Sequence, residues 1–116
     1  MTVNDIWDYH IASGLPLGRA KELLSAMSPD IRERVLLAVK QKGDRRLLID
    51  PIETDPVFAG RVREAADEAN RAADLASHHR LGRCHFVWAM QKKILAGRHG
   101  ITWLSPADMN PAMVFD

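Results

Sequence analysis

The sequence predicts an all-α protein: a single small domain over residues 1–116, with four to five helices in a bundle. A central αα-hairpin is expected over about 56–98, followed by a short C-terminal helical turn. Three observations predict this. Apolar residues recur at three- and four-residue spacings along most of the chain, which marks helix faces. Capping residues followed by proline or acid open these stretches, and glycine or proline closes them. The one strand-like run finds no second run to pair with.

The first helix opens at Thr2, where Asp5 three residues on completes a capping box. Val3, Ile6, Trp7 and Ile11 supply its apolar face at spacings of three, one and four, and Gly14 with Pro16 ends it. A short second helix over about 18–27 carries Ala20, Leu23, Leu24 and Met27 on one side. The third has the clearest start, with Ser28 as N-cap, Pro29 at the first position and Asp30 against the positive dipole end. Ile31, Val35, Ala38 and Val39 follow at helical spacing, with Lys40 and Lys42 near the end and Gly43 as the stop. Residues 44–55 contain the strand-like Leu47-Leu48-Ile49. Pro51 would interrupt a ladder there, so the segment reads as a connector pinned by its apolar side chains.

The fourth helix is expected from Thr54 or Asp55, with Pro56 at its first position, to about Arg80. Ala59, Val62, Ala66, Ala69, Ala73 and Ala76 follow one another at 3-4-3-4-3, a heptad seam built almost wholly of alanine. Side chains this small let helices approach closely. Either another helix of the chain or a second copy of the protein must cover them. Gly82 reads as the turn into a fifth helix over about 83–98. Its apolar side is Cys84, Val87, Trp88, Met90, Ile94 and Leu95, with Gln91, Lys92 and Lys93 opposite. His99 and Gly100 close it, with Ile101 placed for the apolar contact that accompanies a glycine cap. Ser105-Pro106 starts one last turn, which Asn110-Pro111 stops.

Composition narrows the function classes. At 47% hydrophobic and 27% charged, the chain is of ordinary globular composition, and no linker or second domain is expected. Sixteen basic and fifteen acidic side chains leave a formal charge of +1, which by itself selects neither nucleic acid nor membrane. A single cysteine, Cys84, allows no internal disulfide. No apolar run approaches the length of about 20 residues that spans a bilayer. The start MTVNDIWDYH lacks the basic and apolar regions of a secretion signal. A cytoplasmic protein with no membrane contact is expected.

Local features propose three roles. From Leu75 through Ala107 there is no acidic residue, while Arg80, Arg83, Lys92, Lys93 and Arg98 lie there with His78, His79, His85 and His99. Phe86, Trp88 and Trp103 are interleaved with them, the mixture that tracks a phosphate backbone and stacks bases. Arg80, Arg83, His85, Lys92, Lys93 and Arg98 are thus polyanion-binding candidates, unless acids on the fourth helix balance them. Glu64, Asp67 and Glu68, with Asp30 and Glu33 on the third helix, could hold Mg²⁺ in a nucleotide hydrolase. The ladder Asp67, Arg71, Asp74, His78 reads equally as surface ion pairing. The His78, His79, Cys84, His85 group lacks metal-ligand spacing. Six large apolar residues crowd the last fourteen positions, Trp103, Met113 and Phe115 among them, and need a surface to dock on. With no nucleophile–base pair and no phosphate-cradling loop, a non-enzymatic interaction module without a cofactor is expected, self-associating as a homodimer or homo-oligomer. Its interface candidates are Ala59, Val62, Ala66, Ala69, Ala73, Ala76, Trp103, Met113 and Phe115. A different protein partner or a nucleic acid is the alternative.

Overall fold

The computed structural model describes residues 1–76 and 81–115. Among them every regular element is helical: α1 (Val3–Ser13), α2 (Leu17–Ala26), α3 (Pro29–Gln41), α4 (Ala59–Leu75), α5 (Arg83–His99) and α6 (Pro106–Met109), with one 3-10 turn at Pro51–Glu53. None of these helices is long and apolar enough to cross a membrane. The chain divides into two compact units, neither of them a contiguous segment. One comprises Met1–Pro51 with Pro106–Met113, the other Ile52–Ser105 with Val114–Asp116.

In the first unit the expected caps are present. Thr2 Oγ1 accepts from the Asp5 N–H at 3.1 Å, and the Asp5 carboxylate accepts from the Thr2 N–H at 2.8 Å. That backbone hydrogen bond holds the Asp5 carboxyl below its ordinary value. Gly14 closes α1 at φ 75°. This is a left-handed conformation that glycine adopts without a Cβ penalty. Ser28 Oγ accepts from the Ile31 N–H at the start of α3. Between α2 and α3 lies a cap that sequence spacing does not announce. The Arg32 guanidinium reaches back and donates to the carbonyls of Leu24 at 2.8 Å and Met27 at 3.1 Å. Both carbonyls lie at the end of α2, where the helix ladder runs out, and that of Leu24 also accepts from the Met27 N–H at 3.3 Å.

The face of α1 differs from expectation. Its buried residues are Tyr9 and Ser13, with Ile6 half-buried, and the helix packs on α2 and α3. Val3, Trp7 and Ile11 point outward at 82%, 52% and 64% exposure. The helix carries apolar side chains on both sides. Tyr9 lies between them in sequence, and its burial decides which side turns in.

The connector is held by polar groups more than by its apolar run. Leu48 is fully buried without a sheet, and the buried Asn110 carboxamide pairs with its backbone on both sides. Asn110 Oδ1 accepts from the Leu48 N–H and Nδ2 donates to the Leu48 carbonyl, both at 2.8 Å. Nδ2 also donates to the Pro106 carbonyl at 2.9 Å, which closes α6. Two residues after Leu48, the buried Asp50 carboxylate receives both arms of the Arg34 guanidinium from α3.

In the second unit α4 packs against α5. The helix begins at Ala59 because Asp55 heads a turn first: its carboxylate accepts from the Val57 N–H, and its carbonyl accepts from the Phe58 and Ala59 N–H groups. The expected continuation to Arg80 runs past Ala76 into positions outside the described residues. The buried line of α4 is Val62, Ala65, Ala69 and Ala73. Ala59 and Ala66 are half-buried and Ala76 is exposed beyond the helix end. The inner stripe thus drifts from the strict heptad, as a helix of 3.6 residues per turn must when it is not supercoiled. Val87, Gln91 and Leu95 are the buried residues of α5. Gln91, expected on the polar side with Lys92 and Lys93, is buried, and its amide donates to the Val62 carbonyl at 3.2 Å. Gly100 and Ile101 end α5 as expected, their N–H groups bonding to the Ala96 and Leu95 carbonyls. Ile101 and Trp103 then join Val62, Ala65 and Leu95 in one cluster.

Two kinds of substitution test these contacts. Asn110→Ala leaves both backbone groups of Leu48 buried and unpaired, at ~1–3 kcal/mol each, so urea unfolding should show a loss of about 2–6 kcal/mol. A loss under about 0.5 kcal/mol would show that the pairing is dispensable. Ala69→Leu or Ala73→Leu overpacks a contact made within one chain. Each should lower Tm, by ~1–3 kcal/mol of stability, equally at low and high protein concentration.

Candidate interaction surface

The acid-free segment is balanced by acids from α4. Arg83 pairs with Asp74 at 2.9 Å and donates to the Asn70 side chain at 3.1 Å. Arg98 meets Glu68 through two hydrogen bonds, at 2.7 and 3.1 Å. Hydrogen bonding from Arg98 holds the Glu68 carboxyl below its ordinary value, and the same bond raises the Arg98 guanidinium further. His85 Nε2 contacts the Phe115 carbonyl at 2.7 Å, and its ring meets Trp88 edge-on. Lys92 and Lys93 are exposed on α5. Arg80 lies outside the described residues, as do His78 and His79. The described candidates therefore do not converge on one open basic patch. Two of them are already turned to carboxylates.

The acidic candidates do not converge either. Glu64 and Asp67 are exposed on α4, and Glu68 is engaged by Arg98. No three His, Cys, Asp or Glu side chains form a metal-holding group among the described residues. Cys84 is half-buried. The interface candidates of the alanine seam are for the most part covered inside the chain: Val62 packs with Leu95, while Ala69 and Ala73 pack with Val87. The tail is partly used in the same way. Trp103 is 2% exposed, Met113 and Phe115 are half-buried, and the Phe115 ring meets Trp88 edge-on at 5.2 Å between centroids. Val114, between them, stands almost fully exposed.

Exposed large apolar side chains are scattered over the described residues, at Leu37, Val57, Leu75 and Leu81 for example, and on the outer side of α1 three of them are aligned. Val3, Trp7 and Ile11 lie at i, i+4 and i+8, so they form one continuous ridge along the helix surface. Beside the ridge runs a groove of about 500 Å³ between α1 and the end of α3. Trp7, Asp8 and Ile11 line one wall, and Val39, Lys40 and Lys42 line the other. The Trp7 ring leans on His10, with 5.3 Å between ring centroids. Sequence periodicity marks these side chains as apolar and helical and places them in the core. Packing turns them outward instead, because their exposure depends on which side α2 and α3 occupy, and no local pattern encodes that.

The Glu68–Arg98 pair has a definite pH signature. Because the folded carboxyl titrates below its ordinary 4.5, the pair stabilises the fold above that pH, and the benefit is lost as pH falls through the folded value. Glu68→Gln should therefore melt below the parent chain at neutral pH, and the gap should close progressively as pH falls below 4.5 through the lowered folded value. The gap should also shrink in high salt, since both partners are solvent-exposed. A gap that persists at low pH would assign the effect to packing. Comparison of the chain with protein-family models, with curated proteins and with solved structures gives no match.

Proposed function

We propose that this protein is a non-enzymatic helical interaction module that associates with itself through the outer face of α1. One observation carries the reading: three large apolar side chains, Val3, Trp7 and Ile11, form an outward ridge on a helix whose other side is already buried. Covering such a side chain fully is worth ~1.5–3 kcal/mol, and an aligned row offers that gain to any surface that fits it. Single exposed apolar residues are ordinary, whereas a contiguous row beside a groove marks an interaction site. The polyanion reading ranks below it, because Arg83 and Arg98 spend their charge on α4 acids. A cytoplasmic setting fits the lone cysteine, which allows no internal disulfide.

The test is molar mass by sedimentation over a hundredfold concentration range. The parent chain should gain mass with concentration. Trp7→Gln with Ile11→Gln should stay monomeric, and at a concentration where the parent is also monomeric its Tm should fall only slightly, since both side chains are more than half exposed. A parent chain that remains a monomer throughout would overturn the reading.

A further inference from the structure

We infer that the groove between α1 and α3 is the seat for α1 of a second copy of this chain, the two copies being related by a two-fold axis. This deepens the self-association reading and rests on it. The ridge geometry supplies the first reason. A row of residues four apart packs best against the same kind of row on another helix, each seated between the other's side-chain rows, at a crossing of about −50°. The natural complement of α1 is therefore a helix with the same kind of ridge. α1 is such a helix.

Charge supplies the second. The α1 wall of the groove carries Asp8, and the facing wall carries Lys40 and Lys42. Among the described residues none of these three is in a salt bridge within the chain. The field of Lys40 nevertheless reaches α1, where it adds to the Thr2 hydrogen bond in lowering the Asp5 carboxyl. An occupant of uniform charge would set like against like on one wall. A second α1, entering with its ridge, brings its own Asp8 beside its own Trp7 and presents that acid to Lys40 and Lys42. In an isologous interface each contact occurs twice, so the second copy's Lys40 and Lys42 receive Asp8 of the first. The groove is thus complementary to the helix that forms its own wall.

Charge reversal tests this directly. Asp8→Lys places three cations in the groove, and Lys40→Glu with Lys42→Glu places three acids there. Each variant alone should weaken dimerisation at least about tenfold, because like charges then meet at both contacts. Mixed in equal amounts, the two variants bring opposite charges together again, and the mixture should recover the parent's affinity to within about threefold. Asp8 and Lys40 are exposed and Lys42 is only half-buried, so far-UV circular dichroism of the separate variants should match the parent and show that each is folded, with a modest loss of Tm for Lys40→Glu with Lys42→Glu, which sets acids against the C-terminal end of α3. If the parent dimerises and Trp7→Gln with Ile11→Gln abolishes it, but charge reversal has no effect or mixing gives no recovery, the reciprocal groove is wrong while self-association through α1 stands. If the parent does not dimerise, or the Trp7 and Ile11 substitutions leave its dimer intact, the proposal fails together with the reading on which it rests.

Discussion

The Leu48 backbone is buried with neither helix nor sheet to pair it, and the Asn110 carboxamide satisfies both its N–H and its C=O. An unpaired buried peptide group costs ~1–3 kcal/mol, so an irregular connector can pass through an interior only where something supplies both bonds. A strand neighbour normally does so. Here one side chain from 62 residues away stands in for it, and its remaining donor bond to Pro106 fixes α6 at the same point. The Asp50–Arg34 pair extends the arrangement to α3. A buried ion pair is weak evidence of net stability, but it is selective, because removing either partner strands a charge. Together these polar contacts define how the chain that follows α3 is held. They also explain why a strand-like sequence forms no strand.

The α4–α5 pair follows a different logic. Alanine at positions 65, 69 and 73 contributes little apolar area, but it removes the volume that would keep the helices apart. Close approach then brings the Gln91 amide within 3.2 Å of the Val62 carbonyl, a hydrogen bond across the helix pair. The larger area comes from the ends: Leu95, Ile101 and Trp103 at one end, Val87 with Phe86 and Met90 at the other. The ion pairs Arg83–Asp74 and Arg98–Glu68 bridge the same two helices at the surface.

Local signals in the sequence read well. Thr2 with Asp5, Ser28 with Pro29, and Gly100 with Ile101 are caps whose chemistry is complete within a few residues, and each forms as its residues dictate. Signals that depend on which elements become neighbours read poorly. Spacing alone does not choose the inward side of α1, because the helix is apolar on two sides and α2 and α3 select the one with Tyr9. Gln91 looks like a surface residue until Val62 is placed opposite. Asn110 looks like a helix stop, and nothing near it in sequence points to Leu48. The basic residues of α5 form an acid-free block in one dimension, whereas in three dimensions Glu68, thirty residues from Arg98, is beside it. The candidate site was visible as a set of apolar positions and invisible as a surface, because exposure is a property of packing.

This separation between local and non-local determinants also divides the side chains of α1 into those that hold the fold and those that face outward. Its N-terminus is closed by Thr2 and Asp5, its C-terminus by Gly14, and its buried side is anchored by Tyr9 and Ser13. None of these roles falls to Val3, Trp7 or Ile11. The outer ridge can therefore change in size or polarity with little effect on the fold, while any surface that recognises it loses its contact. The alanine seam is the opposite case, since every added methylene at Ala69 or Ala73 presses on α5 itself. Large apolar side chains also stand exposed elsewhere among the described residues, Leu17, Leu37, Val57, Leu75, Leu81 and Val114 among them. Val3, Trp7 and Ile11 differ from these in being aligned on one helix, beside a groove whose walls carry opposite charges.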